Sequence, residues 1–275
     1  MGITSDIKKK VITLEERIKA AGKLAVAFSG GVDSTYLLYK AHEILGDDCI
    51  AVTVKSLVLT SEEFARTTEF CEKIGAKQIV IDFDVFSVPE FENNPPDRCY
   101  YCKRKIFSSI KDAAPGYVVA DGSNVDDQGD YRPGMRAIKE LEITSPLKES
   151  GLTKSDIREL SKEAGLPTWD MPSAACLASR IAYGEKITAE SLTRIAEAEK
   201  FIKDMGFEGI RVRVHGDLAR IEAAPEDIPL LSYVHTRKEI SEELKRLGFK
   251  YVTIDIDGYR TGFAKPRSTK GFIFN

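Results

Sequence analysis

Leu24–Phe28 (LAVAF), Ser29–Ser34 (SGGVDS) and Thr35–Lys40 (TYLLYK) follow one another without a break. The apolar run, the glycine-rich turn and the helical segment predict a strand, a tight loop and a helix. The glycines let backbone N–H groups approach an oxyanion without a Cβ in the way, the serines add hydroxyl donors, and the helix directs its positive end to the same point. This stretch therefore predicts a phosphate cradle.

The spacing of this loop differs from both common nucleotide fingerprints, since it has neither the Gly-Lys-Ser/Thr ending of the Walker loop nor three spaced glycines. SGGVDS in this setting resembles the PP-loop of the N-type ATP pyrophosphatase superfamily, whose members split ATP into AMP and pyrophosphate to activate a substrate oxygen. A six-residue string also occurs as an ordinary glycine-rich turn, but its strand-loop-helix setting favours the phosphate site. The resemblance implies that Asp33 helps to hold Mg²⁺, and that ATP is bound by Ser29, Gly30, Gly31, Asp33 and Ser34.

Apolar and amphipathic segments alternate through the first half of the chain at lengths typical of a doubly wound sheet. They predict an α/β fold, and with the loop they place a Rossmann-like, adenine nucleotide alpha hydrolase-like PP-loop domain with a parallel sheet at residues 1–184. Parallel sheets bind ligands at the carboxyl ends of their strands. The predicted strands are Leu24–Phe28, Ile50–Val54, Gln78–Ile81 and Tyr117–Ala120, and the predicted helices are Ser5–Ala21, Ser34–Leu45, Ser61–Ile74 and Arg98–Ala113.

A small and acidic segment, Asp121–Asp127, follows the fourth predicted strand. It suits a turn that meets a nucleotide or Mg²⁺, and we expect Asp121 and Gly122 to contact ATP. The alternative is an Asx-rich loop with no ligand. Further along, either Thr153 or Ser155 is expected to cap another helix.

The pattern changes after Gly184 to an α-β-β-α-β succession, which predicts a smaller C-terminal α+β domain at residues 185–260 for substrate binding or oligomerisation. Residues 261–275 form a tail, either a flexible end or a docking arm. The predicted elements of the second domain are Thr188–Met205, Ile210–Val214, Leu218–Ala223, His235–Leu247 and Tyr251–Ile256.

Charge and composition exclude several classes of protein. The 40 Lys and Arg residues nearly balance 43 Asp and Glu residues, which does not favour stable nucleic-acid binding. No apolar stretch is long enough to cross a bilayer and the N-terminus has no apolar signal core, so we expect a cytoplasmic protein without membrane contacts. Five cysteines, an odd number, favour metal or thiol chemistry over structural disulfides.

Two of the cysteines lie at a predicted helix start. Asp97 is the expected N-cap, which places Cys99 and Cys102 three residues apart on one face of the first turn. The helix N-terminus and the basic residues that follow favour thiolates there. Cys176 lies in a small-residue turn at the end of the α/β half, which is expected to fall near the nucleotide face.

Three converging thiolates with an open fourth position suit a [4Fe-4S] cluster whose unique iron is free to bind another ligand. Structural zinc usually has a fourth protein donor, and a redox pair of Cys99 with Cys102 is a further alternative. Cys49 and Cys71 lie in a predicted strand and helix, and are expected to be buried small hydrophobes.

The motifs together resemble the LarE family of ATP-dependent sulfur transferases, which build the nickel-pincer nucleotide of lactate racemase. Family members adenylate a carboxylate of pyridinium-3,5-biscarboxylic acid mononucleotide and convert it to a thiocarboxylate. One branch sacrifices the sulfur of a single cysteine, matched here by Cys176. The additional Cys99 and Cys102 resemble the other branch, in which three cysteines hold [4Fe-4S] and an extra sulfide on the open iron is delivered. The motifs are SGGVDS, DGSNVDDQGDYRPG, SPLKESGLTKSDIREL, PSAACLASRIAYG and IRVRVHGDLARIE.

The same resemblance implies how the mononucleotide substrate is held and that the chain forms a homo-oligomer such as a hexamer; it names no sulfide donor. Arg211 and Arg213 alternate on one predicted strand and suit a bidentate anion clamp, the alternative being a solvated face paired with nearby acids. Arg132 is a weaker anion-binding candidate, with turn scaffolding as its alternative role. The implied substrate-binding residues are Ser179, Arg180, Glu199, Arg211 and Arg213.

Two other functions fit the same motifs. A PP-loop tRNA thiolase also combines adenylation with a three-cysteine cluster, but it is expected to carry a basic RNA-binding appendage or zinc-ribbon cysteine pairs, and the sequence shows neither. A non-catalytic cluster sensor would retain the loop without releasing pyrophosphate.

Overall fold

The computed structural model describes residues 3–129, 133–172 and 175–259. Arg132 and the tail at 261–275 lie outside the described residues. The chain forms two compact units, of which the first ends at Ala175 and the second begins at Cys176. None of the described helices is long and apolar enough to span a membrane.

The division between the units falls before the predicted boundary at residues 184 and 185. The reason is that the segment after Cys176 is bonded into the second unit. Arg180 forms an ion pair with Glu199, and Ile181 makes a parallel bridge with Val214. These contacts assign the segment to the C-terminal unit before its first helix begins.

A four-stranded sheet organises the first unit in the order β3-β2-β1-β4, with every neighbouring pair parallel. The prediction of a parallel sheet is confirmed. Strand β1, which precedes the glycine-rich loop, lies between two neighbours and is shielded at both edges. The strands are β1 (Leu24–Ala27), β2 (Cys49–Lys55), β3 (Lys77–Asp82) and β4 (Val118–Ala120).

Helices pack on both faces of this sheet. Neighbouring residues of a strand point to opposite sides, and the residues on both sides are apolar. Leu24 and Val26 join one buried cluster with Leu37, whereas Ala25 joins a second cluster with Phe107. The sheet is therefore doubly covered. The helices are α1 (Ser5–Ala21), α2 (Val32–Leu45), α3 (Ser61–Ile74), α4 (Pro89–Asn93), α5 (Arg98–Ala113), α6 (Gly134–Glu140), α7 (Pro146–Glu149) and α8 (Lys154–Glu163).

The second unit contains the predicted α-β-β-α-β succession, with a short extra helix before the last long one. Its sheet has the order β5-β6-β7, in which β5 and β6 form an antiparallel hairpin and β7 pairs parallel with β6. The elements are α9 (Ala189–Asp204), β5 (Arg211–His215), β6 (Leu218–Glu222), α10 (Ile228–Leu231), α11 (Val234–Arg246) and β7 (Tyr251–Ile254).

Candidate active site

The loop between β1 and α2 has a shape that favours glycine at one position. Gly30 has a φ of +70°, and a Cβ there would lie 3.0 Å from Thr67 Cγ2 on α3. Gly31 takes the N-cap position of α2 with extended backbone, and no described side chain caps this helix end. The first N–H groups of α2 have no partner within the helix, so they are available to an oxyanion.

Two serine side chains hold this loop in place. The hydroxyls of Ser29 and Ser34 lie 3.2 Å apart, and Ser34 Oγ donates to the carbonyl of Gly31 at 3.3 Å. The Ser29 N–H also points to Ser34 Oγ at 3.4 Å. The hydroxyls therefore preorganise the loop before any phosphate arrives.

The loop after β4 meets the same helix end, as expected for neighbouring strands of a parallel sheet. A Cβ at Gly122 would lie 3.0 Å from the backbone nitrogen of Ser34. Asp121 is buried, and its carboxylate accepts hydrogen bonds from Ser145 Oγ at 2.6 Å and from Ser123 Oγ. The Asp121 carboxylate thus stabilises the loop through these hydrogen bonds. Its contact with ATP stays a prediction.

Asp33, the expected Mg²⁺ ligand, faces a lysine that the sequence did not single out. Lys154 Nζ donates to Asp33 Oδ2 at 2.6 Å, and Asn124 Nδ2 lies 3.4 Å from Asp33 Oδ1. Lys154 is the first residue of α8, directly after Thr153, whose side chain accepts from the Asp156 N–H in a capping box. The only sequence signal for Lys154 is its place after this cap in the motif SPLKESGLTKSDIREL.

Cys99 and Cys102 lie on the first turns of α5 as predicted, and both side chains are half-buried. Asp97 occupies the N-cap position, although its side chain makes no capping bond. Helix α6 packs closely here, because a Cβ at Gly134 would lie 3.4 Å from the Cys99 carbonyl oxygen. The guanidinium of Arg136 on α6 lies 3.4 Å from the ring centroid of Tyr100.

All five cysteines are in the thiol form, and they differ in burial. Cys49 and Cys71 are buried, and burial raises the pKa of each thiol to about 12, so they stay protonated near neutral pH. Their predicted role as buried small hydrophobes is confirmed. Cys176 is exposed.

In the described ranges of the chain, no three His, Cys, Asp or Glu side chains form a group that could hold a metal ion. Cys99 and Cys102 belong to the first unit, whereas Cys176 opens the second. The convergence of the three thiols stays a prediction. The structure does show that these three thiols are more accessible than the buried thiols of Cys49 and Cys71.

A second cluster surrounds the turn that follows Cys176, at residues 177–180. Arg180 is 4% exposed and makes two parallel hydrogen bonds to Glu199, each of 2.9 Å, from Nε to Oε1 and from Nη2 to Oε2. Its Nη1 lies 3.3 Å from the Cys176 carbonyl oxygen, and Glu199 Oε1 also accepts from the Val212 N–H at 2.9 Å. Arg180 therefore ties the turn to α9 and β5.

Arg211 and Arg213 lie on the same face of β5, as the alternation predicted. Arg213 donates to Glu222 Oε1 and to the Ser179 carbonyl, both at 2.8 Å. Burial lowers the pKa of Arg211, and the nearby Arg180 charge lowers it further. The five predicted substrate-binding residues are thus brought together, with Arg213 already paired to an acid.

Sequence reasoning missed Glu222, which is fully buried. Its Oε1 accepts from Arg213 and, at 3.0 Å, from Arg220. Glu222 ends β6 directly opposite Arg211, in register with β5. Its position in the motif IRVRVHGDLARIE carries no clear local signal, because only the hairpin register brings it to the arginines of β5.

No family model matches the chain. It is 36% identical to the pyridinium-3,5-bisthiocarboxylic acid mononucleotide synthase of Lactiplantibacillus plantarum, over 95% of each chain. The chain belongs to the LarE family. An uncharacterised protein of Synechocystis is 37% identical over 93% of this chain and 97% of its own length. One subunit of the glutamine-hydrolysing GMP synthase of Thermoplasma volcanium is 25% identical over 54% of this chain and 53% of its own.

The similarity to these relatives establishes two properties of this chain. The LarE-family chain is an enzyme, and its first unit is a PP-loop, Rossmann-like domain. The loop, the parallel strands and the ordered serines described above are the parts of that domain that lie at the expected nucleotide site.

Proposed function

We propose that this LarE-family enzyme is an ATP-dependent sulfur transferase that acts on pyridinium-3,5-biscarboxylic acid mononucleotide, in the synthesis of the nickel-pincer nucleotide. The observation that carries the proposal is the 36% identity to the bisthiocarboxylic acid mononucleotide synthase over 95% of each chain. A thiocarboxylate product requires that an oxygen of a carboxylate leave and a sulfur take its place.

Adenylation makes that oxygen able to leave. The substrate carboxylate attacks the α-phosphorus of ATP, the bond to the β-phosphate breaks, and pyrophosphate departs. The N–H groups at the start of α2 and the serine hydroxyls support this step, since they are donors that would stabilise the charge that accumulates on the departing group. Asp33 would help to hold Mg²⁺, which would add charge stabilisation. Sulfur attack on the acyl-adenylate then releases AMP, which takes the oxygen with it.

The sulfur-carrying group proposed for this chain is a [4Fe-4S] cluster held by Cys99, Cys102 and Cys176. When bound, it supplies sulfide as the nucleophile. The accessibility of these three thiols supports the assignment, since thiolates are the ligands that such clusters require. Cys49 and Cys71 do not fit, because their buried thiols have a pKa of about 12.

The phosphate of the mononucleotide is assigned to the cluster around the turn after Cys176. Arg211 is the best-placed guanidinium, since it lies on a half-buried face of β5 and is close enough to Arg180 and Arg213 to feel their charges. Arg180 and Ser179 shape the turn, and Glu199 holds Arg180. Arg180 and Arg213 already pair with Glu199 and Glu222, so the charge of Arg211 would be the main attraction for a dianionic phosphate.

The test is a reaction with ATP, Mg²⁺, the biscarboxylic acid mononucleotide and sulfide, under anaerobic conditions after reconstitution with iron. We expect acceptor-dependent release of pyrophosphate and a product in which sulfur replaces oxygen, identified by mass spectrometry. Cys99→Ala should lose the thiocarboxylate product but keep pyrophosphate release, whereas the matched Cys71→Ala should retain both. Absence of pyrophosphate with the wild-type enzyme and this acceptor would contradict the proposal.

Homo-oligomerisation is part of the same proposal. It is supported by apolar side chains that the second unit exposes around α10, α11 and the edge strand β7, a surface that a second copy would bury. Size-exclusion chromatography with light scattering should give a mass above 30.5 kDa, and a monomer at micromolar concentration would contradict it. The exposed residues are Leu230, Tyr233, Val234, Tyr251 and Ile256.

A further inference from the structure

The carboxylate expected to hold Mg²⁺ already has a cation against it. Lys154 Nζ lies 2.6 Å from Asp33 Oδ2, and the side chains of the pair are 25% and 22% exposed. Asn124, itself buried, directs its amide nitrogen to the other oxygen at 3.4 Å. Each oxygen of Asp33 therefore faces a hydrogen-bond donor.

The main chain of Lys154 is fixed while its side chain spans the gap to Asp33. The Lys154 N–H donates to Asp126 Oδ2 at 2.8 Å, and the Asp126 N–H donates to Asn124 Oδ1 at 2.9 Å. The same short loop thus anchors the start of α8 and supplies the second donor to Asp33. A lysine side chain has four methylene groups joined by rotatable bonds, so the ammonium is able to change partners while the main chain stays anchored.

A divalent cation needs the lone pairs that these donors occupy, and it is repelled by an ammonium group at the same carboxylate. The pair is mostly buried, so salt screens this repulsion less than at an exposed site. Phosphate oxygens are the competing partners that attract an ammonium away from a carboxylate. They become available only when a nucleotide enters the loop at residues 29–34.

We infer that Lys154 makes metal binding at Asp33 conditional on the nucleotide. Without nucleotide, the ammonium occupies the carboxylate and keeps divalent cations out. With nucleotide, the ammonium transfers to a phosphate oxygen and the carboxylate becomes a ligand. The inference rests on the proposed use of ATP at this loop, and it assigns the order in which metal and nucleotide enter.

The experiment measures binding of Mn²⁺, used in place of Mg²⁺, by electron paramagnetic resonance with a non-hydrolysable ATP analogue and no acceptor. Wild-type protein should bind Mn²⁺ at this site only with the analogue. Lys154→Met should bind Mn²⁺ without nucleotide at least about tenfold more tightly than wild type, which corresponds to about 1.4 kcal/mol. Adding Asp33→Asn to that variant should abolish the new site.

Lys10→Met is the matched control, because Lys10 Nζ also pairs with an aspartate of α8, Asp156, at 2.9 Å, away from the loop. It should leave Mn²⁺ binding as in wild type. Lys154→Arg keeps the charge and should also exclude free Mn²⁺, whereas Lys154→Gln removes the charge and takes the place of the methionine variant if that variant does not fold.

Two results would overturn the inference: equal Mn²⁺ affinity of wild type and Lys154→Met without nucleotide, or no Mn²⁺ at Asp33 even with the analogue. Because no acceptor, sulfide or cluster is present, the proposed sulfur transfer fails or succeeds independently of this result.

Discussion

The loop at β1 and α2 and the arginine cluster after Cys176 are both expected anion sites, yet they are built in opposite ways. The loop obtains its donors from backbone N–H groups and its shape from Gly30, and Gly122 in the loop after β4 lets the two loops approach closely. The second site obtains its donors from guanidinium groups, and Glu199 and Glu222 hold two of these in place. One site is made by local chain geometry and the other by side chains from distant segments.

This difference affects how each site tolerates change. A backbone site needs space and the right φ, so it is sensitive to an added methyl group. A site of paired charges is sensitive to the loss of one partner, because the other is then left desolvated. Single substitutions therefore separate the two kinds of sensitivity.

The largest effect is expected at Arg180. Arg180→Met leaves Glu199 largely buried, at 14% exposure, without its cation, and should lower the free energy of unfolding of the C-terminal unit by about 3 kcal/mol. Urea denaturation measures this. The control is Lys200→Met on the same helix, whose pair with Asp204 is 57% exposed on both sides and should change stability by less than about 0.5 kcal/mol. Equal effects of the two substitutions would show that the cluster is not held by buried charge pairing.

A smaller loss is expected in the loop. Gly30→Ala places a Cβ 3.0 Å from Thr67 Cγ2 at a φ of +70°, and should cost about 1–3 kcal/mol. Gly31→Ala has no such strain, since its φ is −82° and the atom nearest to its new Cβ would be Ser29 Oγ at 3.7 Å. Its free energy of unfolding should lie within about 0.5 kcal/mol of wild type. If both variants unfold at the same urea concentration, the backbone geometry of the loop is not limiting.

The smallest effect concerns the cap that precedes Lys154. Burial alone would raise the pKa of Asp156, but hydrogen bonds from Thr153 and Lys10 bring it below its ordinary value. The stabilisation is therefore present above the unfolded pKa of about 3.9 and is lost as the pH falls through the lower folded value. Asp156→Asn should cost about 1 kcal/mol at pH 7 and less as the pH falls below about 4. A cost that does not depend on pH would show that the charge of Asp156 contributes nothing.

Much of the fold was predictable because it is encoded locally. The amphipathic pattern gave α1 its observed ends, Ser5 and Ala21, and the apolar runs predicted the four parallel strands to within two residues. The cap at Thr153 was one of two alternatives, and its position before α8 decides between them. In each case neighbours in sequence carry the signal.

What the sequence did not predict depends on contacts between distant residues. Lys154 and Asp33 are 121 positions apart, and Glu222 reaches Arg213 only through the register of the hairpin. The short helices α6 and α7 were also missed, because seven and four residues are too few for a clear helical period. The sequence therefore predicted the phosphate-binding character of the loop, but it did not predict that Lys154 faces the loop.

The central position of β1 in the sheet order has a thermodynamic consequence. Amides of a strand with partners on both sides exchange with solvent through the larger opening reactions of a domain, whereas those of edge strands exchange through local fraying. A ligand bound at the end of β1 is released when that strand opens, so its binding free energy is added to the stability of the whole first unit. Nucleotide occupancy should consequently slow hydrogen exchange in β2 and β4 as well as in β1, at residues that never touch the ligand.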